Sequence, residues 1–306
     1  MTEPPAGSAS RLTTFTRGGL DFDVRDGGPR GSGGEVVVLL HGFPQDSTAW
    51  TAVEPALHAA DLRTLAPDQR GYSPGARPAD VAAYRLGEVS ADVVALLDAA
   101  GVARAHLVGH DWGGAVVWDA VERYPDRFAS AVVVSTPHPA ALGWALTHSA
   151  QVARSWYMGL FQVPVLAELA VAPALERALT ASGLPVERAR HYAGRMREPG
   201  ALTGALGWYR AFGSGLVRRT LPAAVRGRLG QGSGQGSGPR WHGPTTYVWG
   251  QHDPALGRAA AERTSRYARG DYRFVELDGG HWLPETHPDE VAAEILARAL
   301  PRTFPR

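Results

Sequence analysis

Runs of consecutive apolar residues recur along the chain, bounded by glycine, proline or charged residues, and they predict buried strands. A short continuous apolar run suits a strand that is covered on both faces of a parallel sheet. The predicted strands of this kind are residues 36–40, 63–67, 105–108, 127–134, 245–249 and 272–277. Ahead of them, residues 12–16 and 20–25 are joined by Arg17-Gly18-Gly19, which predicts a hairpin.

Helical patterns lie between these runs. Ser47 is expected to cap a helix that reaches about Ala60, and Gly101 is placed to stop an amphipathic helix over residues 89–99. Helices are also predicted directly after the run at 105–108 and over residues 256–268 and 288–300. Strands that alternate with helices predict the α/β class, with a mostly parallel, doubly wound sheet.

The alternation stops at about Pro139. From there to Gly230 the sequence has helical segments with proline and glycine punctuation but no clear strand, which predicts a helical insert between two strands of the sheet. Within the insert, residues 157–175 are predicted to be a buried or pocket-lining helix, because Glu168 and two prolines argue against a membrane span. Residues 230–238 contain only Gly, Gln and Ser, which favours a flexible linker over an RNA-binding tract.

The composition limits the chemistry that the chain can perform. The 306 residues include no lysine and no cysteine, which excludes a Schiff-base lysine, thiol nucleophiles and disulfides. A formal net charge of +1 gives no field that would attract nucleic acid or an anionic membrane. The zinc motif His-Glu-x-x-His is absent, so no metal is expected. Residues 1–10 show no signal pattern and no long apolar run follows them, so we expect a cytoplasmic protein.

The most informative stretch for chemistry is residues 105–124. It places Asp111 at the centre of Gly109-His110-Asp111-Trp112-Gly113-Gly114, between a predicted strand and a helical pattern. This is the layout of a nucleophile elbow, a sharp turn that exposes one side chain and needs glycine where Cβ atoms would collide. The usual residue at the apex is Ser. An Asp is already ionised at neutral pH and can attack carbon directly to form an ester of the protein.

This motif resembles the elbow of the α/β-hydrolase superfamily, in the branch of epoxide hydrolases and haloalkane dehalogenases. The resemblance covers about residues 11–300 and implies an α/β-hydrolase fold with an inserted helical cap. It implies a core domain over residues 1–138 and 241–306, and a cap over residues 139–240 that includes the loop at 230–238. It also implies that no cofactor takes part.

The loop His41-Gly42-Phe43-Pro44-Gln45 follows the predicted strand at 36–40. In the superfamily such a loop supplies one backbone N–H of the oxyanion hole. The resemblance assigns this donor to Phe43 and the second donor to Trp112, directly after Asp111. The family often has Glu where Gln45 stands, a departure that leaves the backbone donors unchanged.

A nucleophile, an acid and a histidine follow one another in the chain order that the superfamily uses. They are Asp111, Asp253 and His281, each directly after a predicted strand. His281 is expected to activate the water that hydrolyses the ester, and Asp253 to orient His281. Asp278 is a rival acid, but it stands only three residues before His281 on the same loop. No carboxylate follows the strand that ends at Ser135, which is the alternative acid position in some relatives.

The insert carries the residues that distinguish one leaving group from another. The segment from Tyr157 to Gln162 resembles the Y-x-x-x-F-Q segment of the family, and the segment from Gly207 to Arg210 resembles its N-W-Y-R segment. By that match Tyr157 and Tyr209 are the tyrosines that activate an epoxide, since a phenol is protonated at neutral pH and can give a proton to an alkoxide. Gly207 in place of Asn and Gly159 in place of a bulkier residue depart from the pattern.

The resemblance therefore implies an epoxide hydrolase that forms vicinal diols from a small-molecule epoxide and water, with substrate contacts at Phe43, Trp112 and Trp282. A haloalkane or haloacid dehalogenase is the first alternative, with Trp112 as the halide donor, but Phe43 stands where a dehalogenase commonly has a halide donor. A hydrolase-like ligand-binding protein without turnover is the second alternative. The sequence leaves open the identity of the epoxide, the preferred enantiomer and the choice between monomer and homodimer.

Overall fold

One mixed sheet forms the centre of the computed structural model, which describes residues 11–29, 35–220 and 241–300. Its strands are β1 Thr14–Arg17, β2 Leu20–Gly27, β3 Val36–Leu40, β4 Arg63–Pro67, β5 Ala105–His110, β6 Phe128–Val134, β7 Thr245–Gly250 and β8 Tyr272–Leu277. The eight strands lie in the order β1-β2-β4-β3-β5-β6-β7-β8. The predicted strands and the predicted hairpin are confirmed, with small shifts at their ends.

The sheet is parallel except at one edge. β2 pairs antiparallel with β1 and with β4, whereas all neighbours from β4 to β8 run parallel. β3, β5 and β7 are buried along their whole length, as expected for strands that are covered on both faces. The parallel strands end at the same edge of the sheet, so the loops that follow them meet there.

Helices cover both faces of the sheet and fill the connection between β6 and β7. They are α1 Glu54–Ala59, α2 Leu86–Ala99, α3 Trp112–Arg123, α4 Pro139–His148, α5 Gln151–Arg154, α6 Trp156–Phe161, α7 Leu166–Ala181, α8 Val186–Arg195, α9 Ala201–Thr220, α10 Arg258–Arg263, α11 Leu283–Thr286 and α12 Pro288–Ala299. Short 3₁₀ turns occur at Ser47–Trp50, Pro74–Ala76, Val81–Tyr84, Pro125–Arg127 and Thr264–Arg266.

The hydrophobic core divides between the two faces of the sheet. Along β3, Val38 and Leu40 belong to one buried cluster, and Val37 and Leu39 belong to the other. This division follows from the alternation of side chains along a strand. The first cluster continues into the inserted helices through Tyr192 and other buried side chains, so the insert shares a core with one face of the sheet.

The helix predicted from Ser47 to Ala60 is wrong in detail. The segment forms a 3₁₀ turn at Ser47–Trp50 and then the separate helix α1. The cap is Asp46 rather than Ser47, because the Asp46 carboxylate accepts the N–H of Thr48 at 2.9 Å. Pro55 lies in the first turn of α1, where a proline fits because its missing N–H is not needed. The helix predicted over 256–268 likewise begins later, at Arg258, and ends in a 3₁₀ turn.

The long connection between β6 and β7 forms α4 to α9, and its described part contains no strand. The predicted helical insert is therefore confirmed. Residues 157–175, however, are not one helix: they are divided between α6 and α7, and Val165 between them has a φ of +69°. The side chains of Val165, Leu166 and Leu169 are exposed, so the prediction of a buried or pocket-lining helix is wrong for this face of α7.

The predictions for residues 1–10 and 230–238 lie outside the described residues. Within the described ranges, none of the helices combines the length and the apolar character that crossing a membrane requires.

Candidate active site

The turn between β5 and α3 is built around Asp111, whose backbone has a φ of +50° and a ψ of −120°. A non-glycine residue is strained in this conformation, which directs the side chain away from both elements. A Cβ on Gly109 would lie 2.3 Å from the carbonyl oxygen of Gly113, and a Cβ on Gly113 would lie 2.2 Å from that of Leu40. Only glycine at these two positions lets the strand and the helix approach so closely.

The loop after β3 holds the Asp111 carboxylate. Oδ2 of Asp111 accepts the backbone N–H of Phe43 at 2.9 Å, and a Cβ on Gly42 would lie 2.6 Å from the same oxygen. The N–H of Trp112, at the start of α3, has no acceptor among the described residues. The two donors predicted from the sequence therefore adjoin Asp111, one of them bonded to the carboxylate and the other free to donate.

His281 lies between the loop that carries Asp253 and the turn that carries Asp111. Its Nδ1 lies 2.7 Å from Oδ2 of Asp253, and its Nε2 lies 3.6 Å from Oδ1 of Asp111. The other oxygen of Asp253 accepts the N–H groups of Ala255 and Leu256, which fixes the orientation of the carboxylate. The structure thus brings Asp111, His281 and Asp253 into one row, although they come from three separate loops.

The rival acid is not part of this row. Asp278 is exposed and bonds to the side chains of Gln251 and His252. At Ser135, the alternative acid position, the hydroxyl donates to the backbone carbonyl of His281 at 2.9 Å. Of the candidate carboxylates, Asp253 is the one within hydrogen-bond distance of the His281 ring.

Asp111 and His281, two members of this row, carry opposite charges. Burial raises the pKa of Asp111, but the hydrogen bond and charge of His281, with a smaller contribution from the N–H of Phe43, hold this pKa below its ordinary value. Burial lowers the pKa of His281, but the charges of Asp253 and Asp111 and the hydrogen bonds to them raise it to about 10. In the free protein at neutral pH, Asp111 is therefore a carboxylate and His281 an imidazolium.

Both predicted tyrosines lie beside the elbow. The ring centroid of Tyr209 is 5.0 Å from that of Trp112, 5.4 Å from that of Phe43 and 6.2 Å from that of Tyr157. Burial and the negative charge of Asp111 raise the pKa of Tyr157 and of Tyr209 above the ordinary value. Both phenols are therefore protonated at neutral pH and can donate a proton near Asp111.

Trp282, a predicted substrate contact, lies beside His281 and reaches the insert. Its ring lies 5.0 Å from that of His281 and 6.0 Å from that of His110, and its indole N–H donates to the Ser182 hydroxyl in the insert. Phe43 and Trp112 likewise contact the insert, through Tyr209. Contact of a substrate with Phe43, Trp112 and Trp282 stays a prediction.

Sequence reasoning missed two sets of supporting residues. In α5, Gln151 bonds to the carbonyl of Ala255 and to the N–H of Gly257, and Arg154 bonds to the carbonyl of Asp253. These contacts tie the insert to the loop that carries the acid. No local sequence signal marks them, since they join residues about a hundred positions apart.

The second missed set lies behind His281 and contains His110, Gln45, Glu285 and Tyr192. His110 belongs to the elbow motif and Gln45 is a departure from the family pattern, so both positions are visible in the sequence. Their bonding partners are not, because a polar residue between apolar ones does not reveal what it contacts. Among the described residues there is no group of three or more His, Cys, Asp or Glu side chains that could hold a metal ion.

The sequence matches the family model described as alpha/beta hydrolase fold over residues 35–288. It is 33% identical to epoxide hydrolase A of Mycobacterium tuberculosis, in an alignment that covers 86% of this chain and 90% of the relative. It is 30% identical to epoxide hydrolase 4 of Mus musculus, with 91% of this chain and 76% of the relative covered.

Solved structures give the same result. Epoxide hydrolase A from Mycobacterium thermoresistibile superposes with a TM-score of 0.76 at 28% identity, covering 94% of this chain and 97% of that one. A structure described as a novel epoxide hydrolase from metagenomes of hot environments superposes with a TM-score of 0.78 at 27% identity, covering 96% and 99%. The similarity thus extends over the sheet and the inserted helices together.

Proposed function

The chain belongs to the alpha/beta hydrolase family and to its epoxide hydrolase branch, and from that membership we propose that it converts epoxides to vicinal diols through an ester on Asp111. The observation that carries this proposal is the ionised Asp111 at the elbow, with Oδ2 bonded to the N–H of Phe43 and Oδ1 facing His281. The proposal includes a core over residues 1–138 and 241–306 and a cap over residues 139–240.

In the first step, Oδ1 of Asp111 attacks an epoxide carbon. A bond forms between this oxygen and the carbon, and the carbon–oxygen bond of the ring breaks. The departing oxygen takes a proton from Tyr157 or Tyr209, whose raised pKa values keep both phenols protonated until that moment. The backbone bond to Oδ2 orients the carboxylate so that Oδ1 is the attacking atom.

Ester formation changes the charge around His281. One of the two carboxylates that raise the pKa of His281 is neutralised when Asp111 becomes an ester. The pKa of His281 therefore falls, and the imidazolium releases its proton through solvent to the phenolate left by the first step. His281 is then neutral and can act as a base, so the first step itself prepares the histidine for the second.

In the second step, Nε2 of His281 takes a proton from water, and the resulting hydroxide attacks Cγ of Asp111. The tetrahedral oxyanion accepts the N–H groups of Phe43 and Trp112. The intermediate collapses and the bond between Cγ and Oδ1 of Asp111 breaks. The acid proton of the new Asp111 carboxyl group passes to the departing Oδ1, which leaves as an oxygen of the diol. Asp111 is again a carboxylate and His281 again an imidazolium.

A single turnover in heavy-oxygen water tests the covalent route. With protein in excess over styrene oxide, the first diol should carry ordinary oxygen from Asp111, and the label should enter the protein. Mass spectrometry of the diol and of the peptide that contains Asp111 would detect both. A first diol that already carries solvent oxygen would contradict the ester mechanism.

Replacing the base gives an independent test. His281→Gln should form the ester and fail to hydrolyse it, so an adduct on Asp111 should accumulate and appear as an increase in intact mass. Asp111→Asn serves as the control and should give no adduct with the same epoxide. The absence of an adduct in His281→Gln, with the fold intact by circular dichroism, would remove His281 from the second step.

In the part of the chain that the structure describes, no contact favours the dehalogenase alternative. The Phe43 side chain has no N–H for a halide, and the Trp112 side chain interacts with the hydroxyl of Tyr209. Chloride or bromide release from halogenated alkanes or acids, without epoxide turnover, would support that alternative instead. Ligand-induced thermal shifts without product from any epoxide would support a binding protein. A cytoplasmic location and a homodimer stay predictions from the sequence.

A further inference from the structure

A row of polar contacts runs behind His281, from the insert to the backbone of the histidine. The Tyr192 hydroxyl in α8 donates to Oε1 of Glu285 at 2.9 Å, and Nε2 of Gln45 donates to the same oxygen at 2.7 Å. Oε1 of Gln45 lies 2.8 Å from Nδ1 of His110, and Nε2 of His110 lies 2.8 Å from the carbonyl oxygen of His281. We call these four side chains the Gln45 network.

The carboxylate of Glu285 decides which way the Gln45 amide points. Oε1 of Glu285 already accepts the Tyr192 hydroxyl and is an acceptor for Gln45, so the group that Gln45 turns towards it is its NH₂. The amide oxygen of Gln45 therefore points the other way, where it accepts the N–H of Gly42 at 2.9 Å and faces the ring of His110. Without an acceptor at position 285, the amide would lose the contact that orients it.

The amide oxygen of Gln45 supports both parts of the site that act in ester hydrolysis. Gly42, which it binds, directly precedes Phe43 and its oxyanion donor. His110, which it faces, has a pKa lowered to about 4 by burial, so its neutral ring has one N–H. That N–H goes either to the Gln45 oxygen or to the His281 carbonyl, which also accepts the Ser135 hydroxyl, so Gln45 acts on the tautomer of the ring that contacts the backbone of the base. A shift of about 1 Å in a reacting group can cost roughly a hundredfold in rate, so these contacts matter to the chemistry.

We propose that Glu285 is a positioning residue for hydrolysis of the Asp111 ester, and that it acts through Gln45 on the Phe43 loop and on His281; this rests on the function proposed above. Glu285 has no contact with the reacting atoms. It provides the acceptor that keeps the Gln45 amide in one orientation. The family often has Glu at position 45. This chain has Gln45 there, and the acidic side chain is instead Glu285, to which Gln45 is bonded.

The two oxygens of Glu285 have different surroundings. Oε1 accepts Gln45 and Tyr192, whereas the buried Oε2 has no hydrogen-bond partner among the described residues. Burial raises the pKa of Glu285 to about 7, opposed by hydrogen bonds from Gln45 and Tyr192 and by the charge of Arg188.

Glu285→Leu tests the proposal, with Glu294→Leu as a matched control. Glu294 is also a buried glutamate with one unpartnered oxygen, but it lies in α12 and pairs with Arg273 away from the site. Rapid mixing with styrene oxide, followed by acid quench, separates ester formation from ester hydrolysis. In Glu285→Leu, we expect hydrolysis to slow by about tenfold or more and ester formation to stay within about twofold. Glu294→Leu should change neither rate.

Rescue by a conservative variant distinguishes positioning from loss of packing. Glu285→Gln keeps an acceptor oxygen for Gln45 and Tyr192, so it should recover most of the hydrolysis rate lost in Glu285→Leu. Thermal unfolding of all three variants shows whether the effects follow stability. Equal slowing of both steps in Glu285→Leu, or hydrolysis that is no faster in Glu285→Gln than in Glu285→Leu, would overturn the proposal.

A readout that needs no substrate separates this proposal from the proposed function. Nitrogen NMR of the histidine rings reports the protonation of His110 and His281 directly. The ring signals of His110 should shift in Glu285→Leu and stay in place in Glu294→Leu. If the wild type turns over no epoxide but these signals shift, the proposed function fails and the positioning of His110 by Glu285 stands. Unchanged signals in Glu285→Leu would contradict the positioning itself.

Discussion

At the scale of single residues, the site separates the protonation states of side chains that lie close together. Asp111 has a lowered pKa, His281 has a raised one, and Tyr157 and Tyr209 are kept protonated. Burial alone would move Asp111 and His281 towards their neutral forms. Their mutual attraction opposes this, and for His281 the charge of Asp253 opposes it further. Such opposed shifts mark the acid and base assignments of an active site.

The two tyrosines can be tested one at a time. Tyr157→Phe and Tyr209→Phe should each slow ester formation by roughly a hundredfold, because each removes one proton donor for the opening epoxide, and the double variant should lose nearly all of it. Quenched single-turnover measurements of the ester give these rates. Tyr267→Phe is a matched control, since Tyr267 stacks on His138 rather than on the elbow. Unchanged ester formation in both single variants would exclude a phenol as the donor.

The charge of His281 predicts a pH dependence of stability. Folding raises its pKa from the ordinary value of 6.5 to about 10, so the stabilisation is complete below about pH 6.5 and is lost as the pH rises through about 10. The free energy of unfolding should therefore fall over this range more steeply in the wild type than in His281→Gln. Denaturant unfolding at several pH values measures both slopes. Parallel slopes would show that His281 is not charged in the folded protein.

At the scale of elements, the two glycines that depart from the family pattern have different explanations. A Cβ on Gly207 in α9 would lie 2.8 Å from two ring carbons of Tyr84, a buried residue whose hydroxyl donates to the carbonyl of Pro78. A Cβ on Gly159 in α6 would meet no atom of the described residues within 4 Å. Gly207 is therefore required by the packing of Tyr84, whereas no contact requires Gly159.

Alanine at the two positions should have opposite effects. Gly207→Ala should lower the free energy of unfolding by about 1–3 kcal/mol, because the Tyr84 ring must move. Gly159→Ala should raise it by about 0.5–1 kcal/mol, because alanine favours the helix and nothing is displaced. Urea unfolding of both variants gives the comparison. A destabilising Gly159→Ala, or a neutral Gly207→Ala, would contradict this account of α6 and α9.

At the scale of the whole molecule, the inserted helices are attached to the core by polar contacts around the site. Arg195 in α8 lies 3.0 Å from Asp68 and 3.5 Å from Asp46, two carboxylates in core loops that follow β4 and β3. His191 in the same helix lies 2.7 Å from Asp46. With the Gln151 contacts to the Asp253 loop, these interactions fix the insert on both sides of Asp111.

The contribution of Arg195 to the attachment of the insert can be tested against that of another arginine in α8. Arg195→Leu should lower the free energy of unfolding by about 1–2 kcal/mol, because it removes a charged hydrogen bond to Asp68 and an ion pair with Asp46, two largely buried carboxylates. Arg190→Leu is the matched control. Arg190 is exposed and pairs only at 3.6 Å with Glu176 of the insert, so its loss should change stability by less than about 0.5 kcal/mol. If both variants change the free energy of unfolding equally, the contacts of Arg195 with Asp68 and Asp46 do not help to attach the insert.

Much of the fold follows from local sequence. Each buried strand is a short apolar run, and such a run carries its own signal because neighbouring side chains in the sequence point to opposite faces of the same sheet. The elbow is equally local, since Gly109, Asp111 and Gly113 lie within five positions. The helix at Ser47 was mispredicted because the cap that forms there depends on Asp46 and on the Pro55 that restarts the helix.

The features of the site also divide into those that local sequence predicts and those that only the packing of distant elements decides. The sequence by itself determined which residue types stand at the ends of the strands, because the local pattern of apolar residues predicts the order of strands and loops. Only the tertiary structure decided which oxygen of Asp111 meets Phe43, that Asp278 turns away from His281, and that Gln45 meets Glu285 across 240 positions of sequence. Such contacts depend on how distant elements pack, so the periodicity of a short segment does not predict them.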